Sequence, residues 1–401
     1  MKNGNEKYGN EKYEYVKLSR EEYEEFWRGS EQRFFANRWE VLELSGKVIY
    51  RGVKKNGKLV IAGGFREQKR YFGLKEYVSY KGPMGDFGDK EAVKKLLMGM
   101  KRELKAVKIS MQPNVREFKR DENGEIILTE KRNEVVSETL RAAGMIEKKY
   151  IEGESDILWQ YVLDMQGKSY DELLGKMRKE TKRLLVQSEN SGCEVSKMEK
   201  DEMGVFYEVM RETGESKGFT ARGKDYYEKM WDVPSVEFVK VEMNPVERLK
   251  TLGEIIEKNK GVNGKHARDA VESAEGKVRK IKEIFGEKPE DKKVVLSVGM
   301  FAWTDKEVVF VFSGNVRKYM KFEGQYAMHD KMIKKALASG VERYNFYGIP
   351  VGVKKGCKGY NVFDFKRGFS GQVEEMAGRY DLPTSPMYYV LEVMAKIRRM
   401  I

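Results

Sequence analysis

The stretch Arg343-Tyr-Asn-Phe-Tyr-Gly-Ile349, followed by Phe363-Asp-Phe-Lys-Arg-Gly-Phe369, decides how this chain is read. The first part is dense in aromatic residues, which favour a pleated, buried environment, and is read as a strand over 342–347. Gly348 and Gly368 are positions where positive φ or close backbone approach is open to the chain. The second part reads as a further strand over 360–365 that ends in a lysine flanked by Phe363, Phe365 and Phe369. A lysine in that setting either snorkels to water or sits partly desolvated, where its chemistry changes.

Outward from this stretch the pattern is mixed. Residues 19–29 (SREEYEEFWRG) form a helix with Ser19 as N-cap and Glu22 closing a capping box. Strands are expected at 47–53, 58–65 and 69–80, a helix at 89–104, a strand at 106–111 and a helix at 134–143 ending at Gly144. The grammar then repeats in outline. A strand at 157–164 precedes helices at 169–190, 200–217 and 223–231, strands at 235–242, 294–303 and 306–313, and a helix at 324–339 that leads back to the opening stretch. This is an α+β order compatible with two acetyltransferase-like (GNAT-like) halves. The repeated Gly-Asn-Glu-Lys-Tyr at the start is poor in aliphatic residues, and residues 1–18 are expected to form a disordered tail.

Residues 244–293 interrupt the second half. Asn244-Pro245 is an N-cap followed by proline at the first helical position. Val246, Leu249, Leu252 and Ile256 form one apolar stripe. Ala267, Val271, Ala274, Val278, Ile281 and Phe285 form a second with heptad spacing. The expectation is an antiparallel two-helix coiled-coil arm. It carries thirteen basic and ten acidic residues, a net of +3, which leaves open whether it braces the fold or touches RNA. The domain reading is therefore a tail (1–18), a first domain (19–155 with 377–401), a second (156–243 with 294–376) and the arm (244–293).

Composition bounds the function. With 401 residues, several domains are expected. No apolar run approaches the roughly 18 residues needed to span a bilayer, and the polar opening Met1-Lys-Asn-Gly-Asn-Glu-Lys lacks a signal-peptide core. A cytoplasmic protein is expected. The two cysteines, Cys193 and Cys357, are too few for a disulfide framework. The two histidines, His266 and His329, exclude a His-rich metal site and argue against a histidine-based triad. A formal charge of +13 suits either a well-solvated surface or a polyanionic partner.

The runs Tyr344-Asn-Phe-Tyr-Gly348, Phe365-Lys-Arg-Gly-Phe369 and Glu374-Glu375 with Gly378-Arg-Tyr-Asp-Leu-Pro383 together resemble the C-terminal signature of the FemABX family of peptidoglycan aminoacyl-tRNA-dependent transferases. Upstream, Trp159-Gln-Tyr-Val-Leu-Asp164 with Leu173-Leu-Gly-Lys-Met-Arg-Lys-Glu-Thr-Lys-Arg183 resembles the family's entry into its second domain. Residues 213–227 (TGESKGFTARGKDYY) resemble its Thr-x5-Phe-x2-Arg-x3-Tyr-Tyr element. The resemblance runs from about residue 34 to about residue 400. It implies two GNAT-like domains. It also implies transfer of an amino acid from aminoacyl-tRNA to an amine of a lipid-linked or nucleotide-linked muropeptide, with no metal and no cofactor. An arm at this position occurs in some members and not in others.

The resemblance further implies roles. Phe365 and Lys366 match the pair placed where the donor's terminal ribose and the reacting carbonyl meet, a position suited to stabilising an oxyanion. Arg222 and Tyr226 match residues that grip the acceptor's phosphates and sugar. Tyr319 aligns with another acceptor-binding tyrosine. There are departures. Phe34-Phe-Ala-Asn-Arg-Trp39 lacks the Gln-Ser of the family's first-domain groove, leaving Arg38 in place of a lysine as the phosphate contact. Gln112, in Lys108-Ile-Ser-Met-Gln-Pro113, stands where a carboxylate is expected, and an amide cannot act as a general base. Asp364 is close in sequence. Cys357 with His329 as nucleophile and base lacks an orienting partner. The C-terminal helix 386–401 either packs on the first domain or touches an anionic membrane surface. Two alternatives stay open: an acyl-CoA-dependent GNAT N-acyltransferase, for which no pyrophosphate-binding glycine loop is evident, and a non-catalytic relative that binds tRNA or cell-wall precursors.

Overall fold

The computed structural model describes residues 11–44, 46–69, 73–148, 157–189 and 192–400. In chain order the first elements are β1 (Tyr13–Lys17), α1 (Arg20–Gly29), α2 (Trp39–Glu43), β2 (Val48–Lys55), β3 (Lys58–Lys69), β4 (Lys75–Lys81), β5 (Met84–Gly85), α3 (Lys90–Glu103), β6 (Lys108–Pro113), β7 (Arg116–Arg120), α4 (Val135–Ala142) and β8 (Ile146–Lys148). Then come β9 (Trp159–Asp164), α5 (Tyr170–Lys176), α6 (Lys179–Glu189), β10 (Cys193–Lys197), α7 (Met203–Lys217), α8 (Lys224–Trp231) and β11 (Val236–Met243). The last group is α9 (Pro245–Asn259), α10 (Lys265–Phe285), β12 (Val294–Trp303), β13 (Glu307–Asn315), α11 (Gly324–Ala338), β14 (Arg343–Ile349), α12 (Tyr360–Arg367), β15 (Gln372–Met376), β16 (Arg379–Pro383) and α13 (Met387–Met400). The fold is α+β. It divides into two compact units, one of Met1–Gln160, Gly348–Tyr360 and Gln372–Ile401, the other of Tyr161–Tyr347 and Asn361–Gly371.

In the first unit the sheet runs β1-β2-β3-β4-β6-β16-β8, with β5 beside β3. β4 and β6 are parallel and remain paired from Glu76↔Lys108 to Lys81↔Pro113, with α3 as the crossover between them. Apolar side chains of α3 (Val93, Leu96, Met100) meet Val53, Phe65, Ile109 and Met111 in the core. The capping box expected at Ser19 and Glu22 is present. The expected tail does not hold for Tyr13–Lys17, an edge strand paired antiparallel with β2; residues 1–10 lie outside those described. Alternating Tyr13 and Tyr15 supply strand propensity that a composition argument overlooks. Their hydroxyls donate to Asp89, the N-cap of α3, and to Glu103 at its end.

In the second unit β10, β11, β12 and β13 are successively antiparallel, and β13 is parallel to β14 with α11 as the crossover. Helices α7 and α8 cover one face, where Phe206 and Trp231 meet Phe238. Helix α11 covers the other. There Gly299 allows a close approach, because a Cβ on it would lie 2.5 Å from the Met328 sulfur. The arm consists of α9 and α10, joined by a turn and packed through Leu252, Ala274 and Ile281. The single helix expected over 169–190 is two, α5 and α6, and the N–H of Arg178 between them donates to the Gly368 carbonyl at 3.0 Å.

The main correction concerns 360–365, which is helix rather than strand. Its aromatic residues look like strand alternation, yet Phe363 and Lys366 are buried three apart on one helical face. Asp364 accepts from Arg178 (3.0 Å) and from Arg367 (2.7 Å), an i,i+3 pair only a helix provides. A short apolar run is ambiguous by periodicity alone, and these local pairs decide it.

Candidate functional site

The site grows from a discontinuity in the second sheet. β13 and β14 pair only at Glu307↔Arg343, Val308↔Tyr344 and Val309↔Asn345, although both strands continue further. Two local devices part them. On β13, Met300↔Phe312 is followed by Phe301↔Phe310, so Val311 is an extra, bulged residue. The bulge puts Phe310 against His329 of α11 (ring centroids 4.6 Å) and Phe312 against Tyr227 of α8 (5.8 Å), on opposite faces. On β14, the Asn345 side-chain oxygen accepts from the Tyr347 N–H at 2.7 Å and holds Tyr347 at φ +65°. A side chain bonding two residues ahead is turn chemistry inside a strand. A non-glycine residue held at positive φ stores strain that the surroundings must maintain. Asn345 is itself fixed by Glu307, which accepts from its amide at 3.1 Å and from Arg343 at 3.2 Å. Beyond the third pair the strands leave a notch.

Phe365 and Lys366 of α12 stand on the α11 side of that notch. Phe365 packs edge-on to Tyr326 (5.4 Å) and beside His329 (5.4 Å). Phe369 meets Phe346 (4.7 Å) and His329 (5.3 Å). Lys366 is 7% exposed among these rings. Its turn is closed by Gly368, where a Cβ would collide with Thr181. Burial pushes the Lys366 ammonium down to about 7. Burial, then the neighbouring Lys366 charge, push His329 down to about 3, so the imidazole is neutral. Burial also raises the Tyr344 phenol well above its ordinary value. The Tyr344 hydroxyl and His329 Nδ1 share a 2.7 Å hydrogen bond, while His329 Nε2 meets no partner among the described residues. This arrangement is a dry aromatic box holding one amine able to take or release a proton near neutrality. The His329–Tyr344 pair is the part that reading the sequence missed. The available signal was a lone histidine three residues after Tyr326 on a helix that precedes an aromatic strand.

The other expected residues fall elsewhere. Arg222 is exposed at the start of α8, with its guanidinium 5.5 Å from the Tyr226 ring. Tyr226 packs edge-on to Phe312, on the sheet face opposite Lys366. Tyr319 stacks on Phe285 of α10 at 5.2 Å, at the root of the arm, and is not beside Arg222 in these packing contacts. Arg38, in the first unit, donates to Glu40 at 2.8 Å and lies 5.3 Å from the Trp27 ring. Gln112 is buried, with its amide nitrogen unpaired among the described residues. Cys357 is exposed, whereas His329 is enclosed, so their surroundings do not match a nucleophile and its base. Among the described residues no group of His, Cys, Asp or Glu could hold a metal ion.

A family model described as the FemAB family matches residues 18–396. Aminoacyltransferase FemB of Staphylococcus epidermidis is 26% identical over 384 residues, spanning 88% of this chain and 89% of that protein. Aminoacyltransferase FemA of Staphylococcus epidermidis is 25% identical over 375 residues, spanning 87% and 90%. The crystal structure of FemX superposes with a TM-score of 0.73 at 20% identity, over 94% of this chain and all of that one; at that identity the likeness speaks for the fold. The family match takes in every strand but β1, with the notch and the Phe365–Lys366 helix, and the chain belongs to the FemAB family.

Proposed function

We propose that this protein is an aminoacyltransferase that moves an amino acid from aminoacyl-tRNA to an amine of a peptidoglycan-precursor stem peptide, in branch or cross-bridge formation. Relatives named as aminoacyltransferases over most of both chains support the reaction class. The observation that carries the reading is Lys366, a buried amine with its pKa near 7 at an opening between two parallel strands.

The chemistry follows from the needs of the reaction. The acceptor amine attacks the ester carbonyl, a C–N bond forms, and the C–O bond to the ribose breaks. The ester is already activated, so no separate energy source is needed. In its cationic form Lys366 stabilises the oxyanion in a dry site, where such an interaction is worth about 3 kcal/mol. A lysine titrating near 7 can also give its proton to the departing ribose oxygen and take up the one that the attacking amine releases, which closes the proton balance. Phe365 offers a ring against which the terminal ribose or base packs. Arg222 and Tyr226 suit an acceptor phosphate and sugar approaching from the opposite face, so the two substrates meet through the notch. Tyr319 and Arg38 receive less support, the first being stacked on the arm and the second held by Glu40.

A lipid-linked acceptor would bring the enzyme to the cytoplasmic membrane face. Among the described residues no helix is long and apolar enough to cross a membrane. Helix α13 packs on its own unit through Tyr388 and the Lys148–Glu392 ion pair. It leaves Met387, Val390, Val393 and Ile397 exposed on one side, which favours peripheral contact.

The competing acyl-CoA reading wants a glycine-rich pyrophosphate loop opening a helix. Residues 313–315 are instead strand, paired with β12. Incubation with a panel of charged tRNAs and nucleotide-linked or lipid-linked muropeptides, read by mass spectrometry, tests the proposal. A mass gain of one aminoacyl residue on the muropeptide is expected. Acyl transfer from acyl-CoA alone would overturn the reading, as would binding without transfer across the panel.

A further inference from the structure

At the root of the arm, away from the aromatic box, α9 begins with the N-cap Asn244 and Pro245 and places Arg248 one turn in. An arginine at the start of an exposed helix is ordinarily solvated. This one is 5% exposed. Its stem lies against Gly192, where a Cβ would sit 2.7 Å from the Arg248 Cδ. Its guanidinium makes no hydrogen bond or ion pair with any described residue. It lines a cavity of about 70 Å³ together with Lys277 and Lys280 of α10, Lys321 and Glu323, with Ile281 and Phe322 also in the lining.

The charge there is lopsided. Glu323 is the one carboxylate among the described lining residues. Lys321 is partly answered by Glu283 at 2.8 Å, outside the cavity. Lys277 is half-buried, and burial followed by the Arg248 charge lowers its pKa; burial lowers that of Arg248 as well. Burying a guanidinium without a counter-charge is costly, and among the described residues nothing else supplies one. Helix α11 also starts at the cavity's rim, with Glu323 as its N-cap residue, and a helix start favours anions.

We infer that this cavity is a binding site for a phosphate-class oxyanion, held by Arg248 and Lys277 with Lys280 and Lys321 at the mouth. An arginine fork takes two phosphate oxygens at once. Four cations against one carboxylate suit a dianion better than a carboxylate ligand. Its lining does not include Lys366, and the site is assigned no part in transfer.

The test uses the full chain and orthophosphate at constant ionic strength against chloride. Isothermal titration and ³¹P NMR should show one saturable site. Arg248→Gln should weaken binding about tenfold or more, the loss of a charge-assisted contact. Lys277→Gln, at a half-buried position, should weaken it in the same direction with an unchanged melting curve, which keeps the test decisive if Arg248→Gln misfolds. Adenosine monophosphate that competes with orthophosphate would identify an esterified phosphate as the ligand, and failure to compete would identify the free anion. Absence of saturable orthophosphate binding, or wild-type affinity in the Lys277→Gln variant, would overturn the assignment.

Discussion

Replacing Lys366 by Met removes a buried titrating amine while keeping a long unbranched side chain. In the folded protein burial holds Lys366 at about 7, against an ordinary 10.5. Between those values the unfolded chain carries the proton and the folded chain does not. Stability attributable to this residue therefore rises as pH climbs from 7 toward 10.5, and the penalty of the buried charge is at its full size below 7. Integrating the linkage relation between pH 7 and pH 9 gives the wild type roughly 2 kcal/mol of stability that the Met variant does not gain. Tyrosines and other groups titrate in both proteins, so the difference between wild type and variant isolates Lys366. Urea unfolding followed by circular dichroism at a series of pH values measures it. The variant should be the more stable of the two at pH 6, with the gap narrowing by roughly 2 kcal/mol between pH 7 and pH 9. A difference that does not change with pH would show that Lys366 keeps an ordinary pKa. A gap that widens with pH would show that it is held as a cation by an opposite charge.

Lys366→Ala should lower kcat by at least about 10²-fold in a folded protein, with Lys366→Arg recovering part of the loss, because a cation near the developing oxyanion is what is removed; single-turnover transfer reads this. Arg222→Ala should raise the KM for a nucleotide-linked muropeptide with a smaller change in kcat, since a phosphate grip is mostly uniform binding. Tyr319→Ala should leave acceptor affinity by calorimetry unchanged and cost about 1 kcal/mol in a melt through the lost stack on Phe285. Asn345→Ala should cost about 1–2 kcal/mol by removing the support of Tyr347 and should also lower kcat, whereas stability loss with full turnover would detach the strand's turn from the chemistry.

The alternation of apolar residues, the caps and the arm's stripes made most elements legible before the structure. The helix start at Ser19 and the proline-led start at Asn244 are local chemistry, and local chemistry is written in neighbouring residues. What escaped depends on distant partners. The Phe363 to Arg367 run reads equally as strand or helix until Arg178, from α5–α6, claims Asp364. The bulge at Val311 is defined only by its register against β12. His329 looked like an isolated titratable residue because Tyr344 and Phe310, which make it neutral and buried, come from strands on either side of its helix in the chain. Nothing near Arg248 in sequence announces the turn before β10 that covers it. Lys366 was legible as a chemically useful lysine; its displaced pKa was not.

The contrast between the two parallel pairs sets a stoichiometry. β4 and β6 stay zipped across six residue pairs, whereas β13 and β14 part after three. A chain built twice on a similar plan thus offers, among the described residues, one such opening between its two parallel pairs rather than two equivalent ones. Titrating a fixed amount of enzyme with a non-transferable aminoacyl-tRNA analogue should reach equivalence at one per polypeptide. Changes along the β4–β6 seam should register in melting curves while leaving that equivalence point at one.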